Sequence, residues 1–132
     1  MSENFSIEIV NPEKSFLSKD NVSEVVVPAF EGEIGILKDH ISIISFLKPG
    51  IIKVFVGPEE ENFFVEDGIV EFKDNSLSIL TSSIFNLKDA DKNHISKTIS
   101  ETEKELSSDD IDDQKRFLLN HKVEVLKSLS IN

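Results

Sequence analysis

Apolar residues recur at two different spacings along the chain, and the change falls near residue 86. Before it they come in short, often alternating runs. Phe5, Ile7 and Ile9 alternate with polar residues, and further β-rich runs occupy 22–27 (ending at Pro28), 41–47, 51–56, 63–65, 69–72 and 77–80. Turn signals at Pro12, Pro49-Gly50, Gly57-Pro58, Asp67-Gly68 and Asp74-Asn75 separate them. A spacing of roughly 8–12 residues between such signals is the rhythm of an all-β sandwich or barrel. The expected first domain is therefore residues 1–86, an all-β sandwich of two stacked, mostly antiparallel sheets. One run stands apart. In 41–47, Ile41, Ile43 and Leu47 share one face and Ile44 and Phe46 the other, so both faces are apolar. A strand with one wet face is polar on that side; this one calls for a cover, from the chain itself or from a partner.

After residue 86 the spacing becomes helical. Ile95, Ile99, Thr102 and Leu106 fall on one face of 91–106. Ser107-Ser108-Asp109-Asp110 offers capping side chains and carboxylates that suit a helix start. The next helix carries Ile111, Leu118, Lys122, Val125, Leu126 and Leu129 near one face. The expected second domain, 87–132, is an α-helical hairpin with a thin apolar stripe, dependent on the sandwich or a partner.

Composition sharpens the division. All five glycines and all four prolines lie in the first 68 of 132 residues, and nine of the ten phenylalanines precede residue 86. With no Cys, disulfides and thiolate metal sites are excluded. The N-terminal residues lack the basic and apolar regions of a signal peptide and the arginines of a transit peptide. No run approaches the roughly 18 apolar residues of a membrane span, so an intracellular, soluble chain is expected. A net charge of −11 argues against nucleic acid or anionic lipid as main partner. The acidic tracts Glu59-Glu60-Glu61 and 109–113 read as solvated turns or helix starts.

The segment 30–40, FEGEIGILKDH, holds most of the candidate chemistry. A phosphate loop is disfavoured: Glu31 and Glu33 repel an anion and no helix follows. Gly32 and Gly35 instead supply special backbone angles at a turn or bulge. Asp39, His40 and Ser42 look like pieces of a nucleophilic triad, but on a strand His40 and Ser42 share a face while Asp39 points away, and no nucleophile elbow is present. His40 alone in the sandwich makes no metal site. No cofactor, metal or catalytic residue is expected.

Taken together, Glu31-Gly32-Glu33-Ile34-Gly35-Ile36-Leu37, His40 and Leu47-Lys48-Pro49-Gly50-Ile51-Ile52 resemble the epsilon subunit of F-type ATP synthases. That family shows EGE, a hydrophobic residue and GI, then a Gly-His and a KPG turn at this spacing. Supporting pieces are 10–16, with Ser18 shortly after Phe16, and 63–71, FFVEDGIVE. The likeness covers roughly 5–82; the helical part matches in length, position and pattern only.

The resemblance implies a β-sandwich followed by a helical hairpin. It also implies a non-catalytic rotor subunit joining the gamma subunit to the c-subunit ring, so that proton-driven rotation is coupled to ATP synthesis. The location it implies is peripheral, on the cytoplasmic side of a bacterial inner membrane, held there only through the complex. Glu31, Gly32, Glu33, Ile34 and Gly35 would form a loop facing the ring. His40, Ser42, Ile44 and Phe46 would contact gamma or the ring. Bacterial hairpins can brake ATP hydrolysis by meeting the catalytic α and β subunits, and Lys115, Arg116, Lys122 and Lys127 are the basic candidates for the β contact.

Two departures stand out. Asp39 replaces the Gly before the His; Asp is among the residues that tolerate a positive φ. An ATP-binding motif of some members survives only as a remnant: Asp91 is kept, Lys92 follows, and His94 replaces an Arg, losing a permanent charge and a planar fork of donors. Outside the family, a free-standing small-ligand-binding sandwich is the next reading, disfavoured for sugars by the lack of Trp and Tyr. An enzyme is third, since no residues converge.

Overall fold

A computed structural model describes residues 4–13 and 15–130. The remaining residues, which fall within the expected domain ranges and the N-terminal stretch read for targeting signals, lie outside the described residues. The chain forms two compact units, Met1–Asn86 and Leu87–Asn132.

Among its described residues the first unit holds ten strands: β1 (Phe5–Val10), β2 (Ser15–Val22), β3 (Glu24–Ala29), β4 (Gly32–Ile36), β5 (Ile43–Leu47), β6 (Gly50–Val56), β7 (Glu59–Val65), β8 (Gly68–Lys73), β9 (Ser76–Leu80) and β10 (Ile84–Asn86). They run in the order β10-β7-β6-β3-β5-β8-β9-β1-β2, with β4 paired to β3 outside this path. All pairs are antiparallel except β1 with β9. The sheet is continuous and folds over on itself as a sandwich. Inward residues such as Ile7, Ile9, Val25, Val27, Ile52, Val54, Val70, Phe72, Leu77 and Ile79 share one buried cluster. Their period of two is what a half-wet strand dictates. Phe5 meets Phe72, and Phe16 meets Phe63, edge-on at 5.4 and 5.6 Å between ring centres. Lys19 of β2 and Glu61 of β7 form an ion pair at 2.8 Å beside the latter contact.

Several elements differ from the expected ones. The run 22–27 is the end of one strand and most of the next, broken at Ser23, whose N–H and hydroxyl both donate to the Phe55 carbonyl. Pro28 does not end β3. It sits between the β6 register, which stops at Val26, and the β5 register, which starts at Ala29, so its missing N–H interrupts no ladder bond. Its carbonyl accepts from the Lys48 N–H at 3.0 Å. Strand β5 starts at Ile43, leaving Ile41 76% exposed ahead of it. Glu59-Glu60-Glu61 is not a turn but the start of β7, paired with Val54–Val56 residues of β6 around the Gly57-Pro58 turn.

In the second unit a single 3-10 turn (Leu87–Asp89) precedes α1 (Lys92–Leu106) and α2 (Asp113–Ser130). The Asp91 carboxylate caps α1, accepting from the His94 N–H at 2.7 Å. Ser107 closes α1 as its C-cap, so 107–110 does not start the next helix. The cap of α2 is Asp112, which accepts from the Lys115 N–H at 2.7 Å. Ile111 consequently precedes the helix. Buried in this unit, among the described residues, are Ile95, Thr102, Val123 and Leu126. The Thr102 hydroxyl is satisfied by donating to the Thr98 carbonyl at 2.7 Å. Among the described residues no helix is long and apolar enough to cross a membrane.

Candidate interaction surface

The segment 30–40 is built as a hairpin rather than a loop. Phe30 and Glu31 form a two-residue turn, and Gly32–Ile36 is strand β4, paired with β3 from Ala29↔Gly32 to Val25↔Ile36. Two glycines and two carboxylates hid a strand whose period of two is nonetheless present: Ile34 and Ile36 pack with the core while Glu33 is exposed. The glycines divide. Gly32 has φ +135° directly after the turn, a conformation that L side chains rarely adopt. Gly35 has no positive φ and lies opposite Val26 in the ladder.

The loop after β4 is locked from the other end of the same unit. Asp39 adopts φ +68°, and its N–H donates to Asn75 Oδ1 at 2.7 Å while Asn75 Nδ2 donates to Asp39 Oδ1 at 2.9 Å. Asn75 lies in the β8–β9 turn, itself at φ +59°. This clasp sets the place of His40, whose Nδ1 bonds the Ile41 carbonyl at 2.7 Å and whose ring meets Phe72 edge-on. Asp39 therefore serves Asn75 rather than His40, and Ser42 is exposed ahead of β5.

On β5 the two-faced pattern resolves clearly. Ile43 and Leu47 turn to the core, whereas Ile44 is 71% and Phe46 63% exposed. In register beside Phe46 stands Ile69 of β8, and beside Ile69 stands Leu80 of β9. Both are exposed, as is Phe30. An apolar row thus crosses β5, β8 and β9, an arrangement that marks interaction surfaces. Ile69 and Leu80 sit inside ordinary strand runs and Phe30 in a turn, so nothing in the sequence marks them as surface residues; strand pairing puts Ile69 and Leu80 in line with Phe46. Glu31 borders the row. Its Oε1 accepts from the Ser45 hydroxyl at 2.7 Å. That hydrogen bond, then one from Glu31's own backbone, holds its carboxyl below the usual carboxylate value, with desolvation pulling the other way.

The basic candidates of the hairpin are engaged within it. Arg116 donates to the Leu106 carbonyl at 2.9 Å and the Ser108 carbonyl at 3.4 Å, closing the end of α1. Lys115 pairs with Glu105 at 3.6 Å and Lys127 with Glu103 at 3.4 Å. Lys122 is half-buried. Of the ATP-motif remnant, the Asp91 carboxylate is used as the helix cap, while Lys92 and His94 are exposed. Among the described residues, no group of three or more His, Asp or Glu is placed to hold a metal ion.

The family model described as ATP synthase, Delta/Epsilon chain, beta-sandwich domain matches residues 4–87. The chain belongs to this family. A protein of Pelagibacter ubique (strain HTCC1062) named ATP synthase epsilon chain is 66% identical over 130 residues, covering 98% of this chain and 100% of its own length. One of the same name from Chelativorans sp. (strain BNC1) is 32% identical over 107 residues, covering 80% and 78%. The family is thus that of ATP synthase epsilon chains, subunits of that complex. Likeness of fold extends further: a chain in a cryo-EM structure of the Euglena gracilis mitochondrial ATP synthase superposes with TM-score 0.77 at 20% identity, covering 99% of this chain and 82% of that one. The sandwich with a trailing two-helix unit, expected from hydrophobic spacing, is the architecture observed.

Proposed function

We propose that this chain is a non-catalytic central-stalk subunit that joins gamma to the c-subunit ring in a bacterial ATP synthase, peripheral on the cytoplasmic side of the inner membrane. The observation that carries this reading is the exposed apolar row of Ile44, Phe46, Ile69 and Leu80 on a rigid sandwich. A sandwich of this kind transmits force through its contacts; polar side chains such as Ser23, Asp39 and Asn75 are spent on strand breaks and clasps. In this reading the β3–β4 hairpin carrying Glu31, Gly32, Glu33, Ile34 and Gly35, with His40 and Ser42, lies in the contact region with gamma and the ring.

Braking of hydrolysis through the second unit belongs to the same proposal. Lys115, Arg116 and Lys127 make their contacts within the hairpin, so meeting an acidic surface of the catalytic subunits requires exchanging those partners.

Co-purification tests the rotor reading. A C-terminally tagged chain, extracted gently from native membranes, is expected to bring down gamma, the catalytic subunits and ATPase activity. Elution of the chain alone at native concentration would exclude it. Deletion of residues 87–132 is expected to raise the hydrolysis rate of the complex; an unchanged rate removes the brake.

A further inference from the structure

Asn75 joins three segments at the end of the sandwich opposite the β3–β4 turn. That turn lies at the start of β8, where Ala29 pairs with Leu47 and Leu47 with Gly68, whereas Asn75 follows the end of β8. The Asn75 carbonyl accepts from the Ser6 N–H of β1 at 3.2 Å, and its side chain makes both bonds of the clasp to Asp39. The two turns that meet here share a peculiarity. Leu37-Lys38-Asp39-His40 is closed by the His40 N–H donating to the Leu37 carbonyl at 3.1 Å, with Asp39 in third place at φ +68°. A third turn position with positive φ is best filled by Gly or Asn. Asp74 and Asn75, at φ +51° and +59°, make the two-residue hairpin turn between Lys73 and Ser76. The second place of such a turn favours Gly. Each turn therefore carries a side chain where glycine costs least, and those two side chains are the ones that bond each other. Two independent turns gain nothing from this arrangement; a joint between them does.

The joint has a loop to hold. Leu37, Ile41 and Ser42 are exposed, so burial does little to fix residues 37–42. The His40 ring, edge-on to Phe72 at 6.1 Å, ties the loop to β8, and the clasp ties it to the β8–β9 turn. We propose that Asn75 is a positioning residue for the stalk contact made by loop 37–42, holding Asp39, and through it His40, in the bound arrangement before the partner arrives. The proposal rests on the stalk reading, which brings His40 and Ser42 to the contact, and adds a residue that acts through Asp39 rather than by touching the partner. A loop that visits its binding arrangement only part of the time binds more weakly in proportion to that fraction.

The test measures binding of the full-length chain to ATP synthase stripped of this subunit, and amide exchange in the free chain, both well below the melting temperature of every variant. Asn75→Gly breaks the clasp and places glycine where this turn type prefers it, so the melting temperature should stay close to the native value. The Asp39 amide, which donates to the Asn75 side chain, should lose about tenfold or more of its exchange protection. Binding should weaken about three- to tenfold. Asp39→Gly accepts the same positive φ and should weaken binding equally, and the Asp39→Gly, Asn75→Gly double variant should be no worse than either alone. Asn75→Asp sets two carboxylates face to face and should weaken binding at least as much as Asn75→Gly. Adding Asp39→Asn to it rebuilds the pair in reverse and should bring affinity back to within about twofold of native. The positioning role is overturned, with the stalk reading left standing, by any of three results: native affinity in Asn75→Gly or Asp39→Gly, an Asp39 amide still protected in Asn75→Gly, or no recovery in the reversed pair. If the native chain does not bind at all, both fall.

Discussion

The sandwich and the hairpin solve the same problem with unequal means. Up to Asn86, side chains from nine strands converge on one cluster from Phe5 to Ile79, and four phenylalanines interlock edge-on within or against it. From Leu87 onward two helices bury Ile95, Thr102, Val123 and Leu126 and rely on caps and exposed ion pairs for the rest. Apolar burial is worth far more than exposed ion pairs, which contribute roughly 0–1 kcal/mol each. The first unit is therefore a rigid body, and the second is one whose internal contacts can be exchanged at modest cost.

The largest expected effect lies in the sandwich. Phe72→Ala removes a fully buried ring that meets both Phe5 and His40, and should cost about 3–5 kcal/mol in denaturant unfolding. A loss under about 1 kcal/mol would erase the contrast between the units. Next comes Leu126→Ala, expected to cost the hairpin about 2 kcal/mol or more, read as faster amide exchange across α1. Arg116→Ala should follow at about 1–2 kcal/mol, since a charged donor to two carbonyls is lost. Asp91→Ala should cost about 1 kcal/mol through the lost cap. Lys127→Ala should change hairpin stability by no more than about 0.5 kcal/mol; a larger loss would mean that charge, not packing, holds the helices.

The smallest effect is a titration. Glu31 is ionised more readily in the folded chain than in the unfolded one, so its stabilising contribution is present above the ordinary carboxylate pKa and is lost as pH falls through the lowered folded value. Ser45→Ala should move the Glu31 midpoint upward by NMR; an unmoved midpoint would assign the shift to the backbone hydrogen bond instead.

What could be read in advance follows the physics of each signal. Strands with strict alternation, such as Phe5–Val10, and the break in spacing near residue 86 depend on local pattern alone. Strand Gly32–Ile36 was illegible because its outward positions are glycine and glutamate, residues of low strand propensity held by pairing with Val25–Ala29 residues across a tight turn. The α2 start moved because Ser107 serves the preceding helix and Asp112 the following one, a choice made by backbone geometry. The surface was half legible: Ile44 and Phe46 betrayed themselves by breaking alternation. Ile69 and Leu80 became neighbours of Phe46 only through cross-strand register, and the Ser45–Glu31 bond joins residues fourteen apart.

The parallel pairing of β1 with β9 orders events during synthesis. Ser6 lies against Ser76 and Val10 against Leu80, so β1 waits for nearly the last of the described sandwich strands to be made before its second edge is covered. Until then a nascent chain can make the β1–β2 and β6–β7 hairpins but leaves β1 with an open apolar flank, the condition under which partly made chains associate wrongly. A stall before residue 76 would thus hold the sandwich open, because β9 would not yet exist to pair with β1.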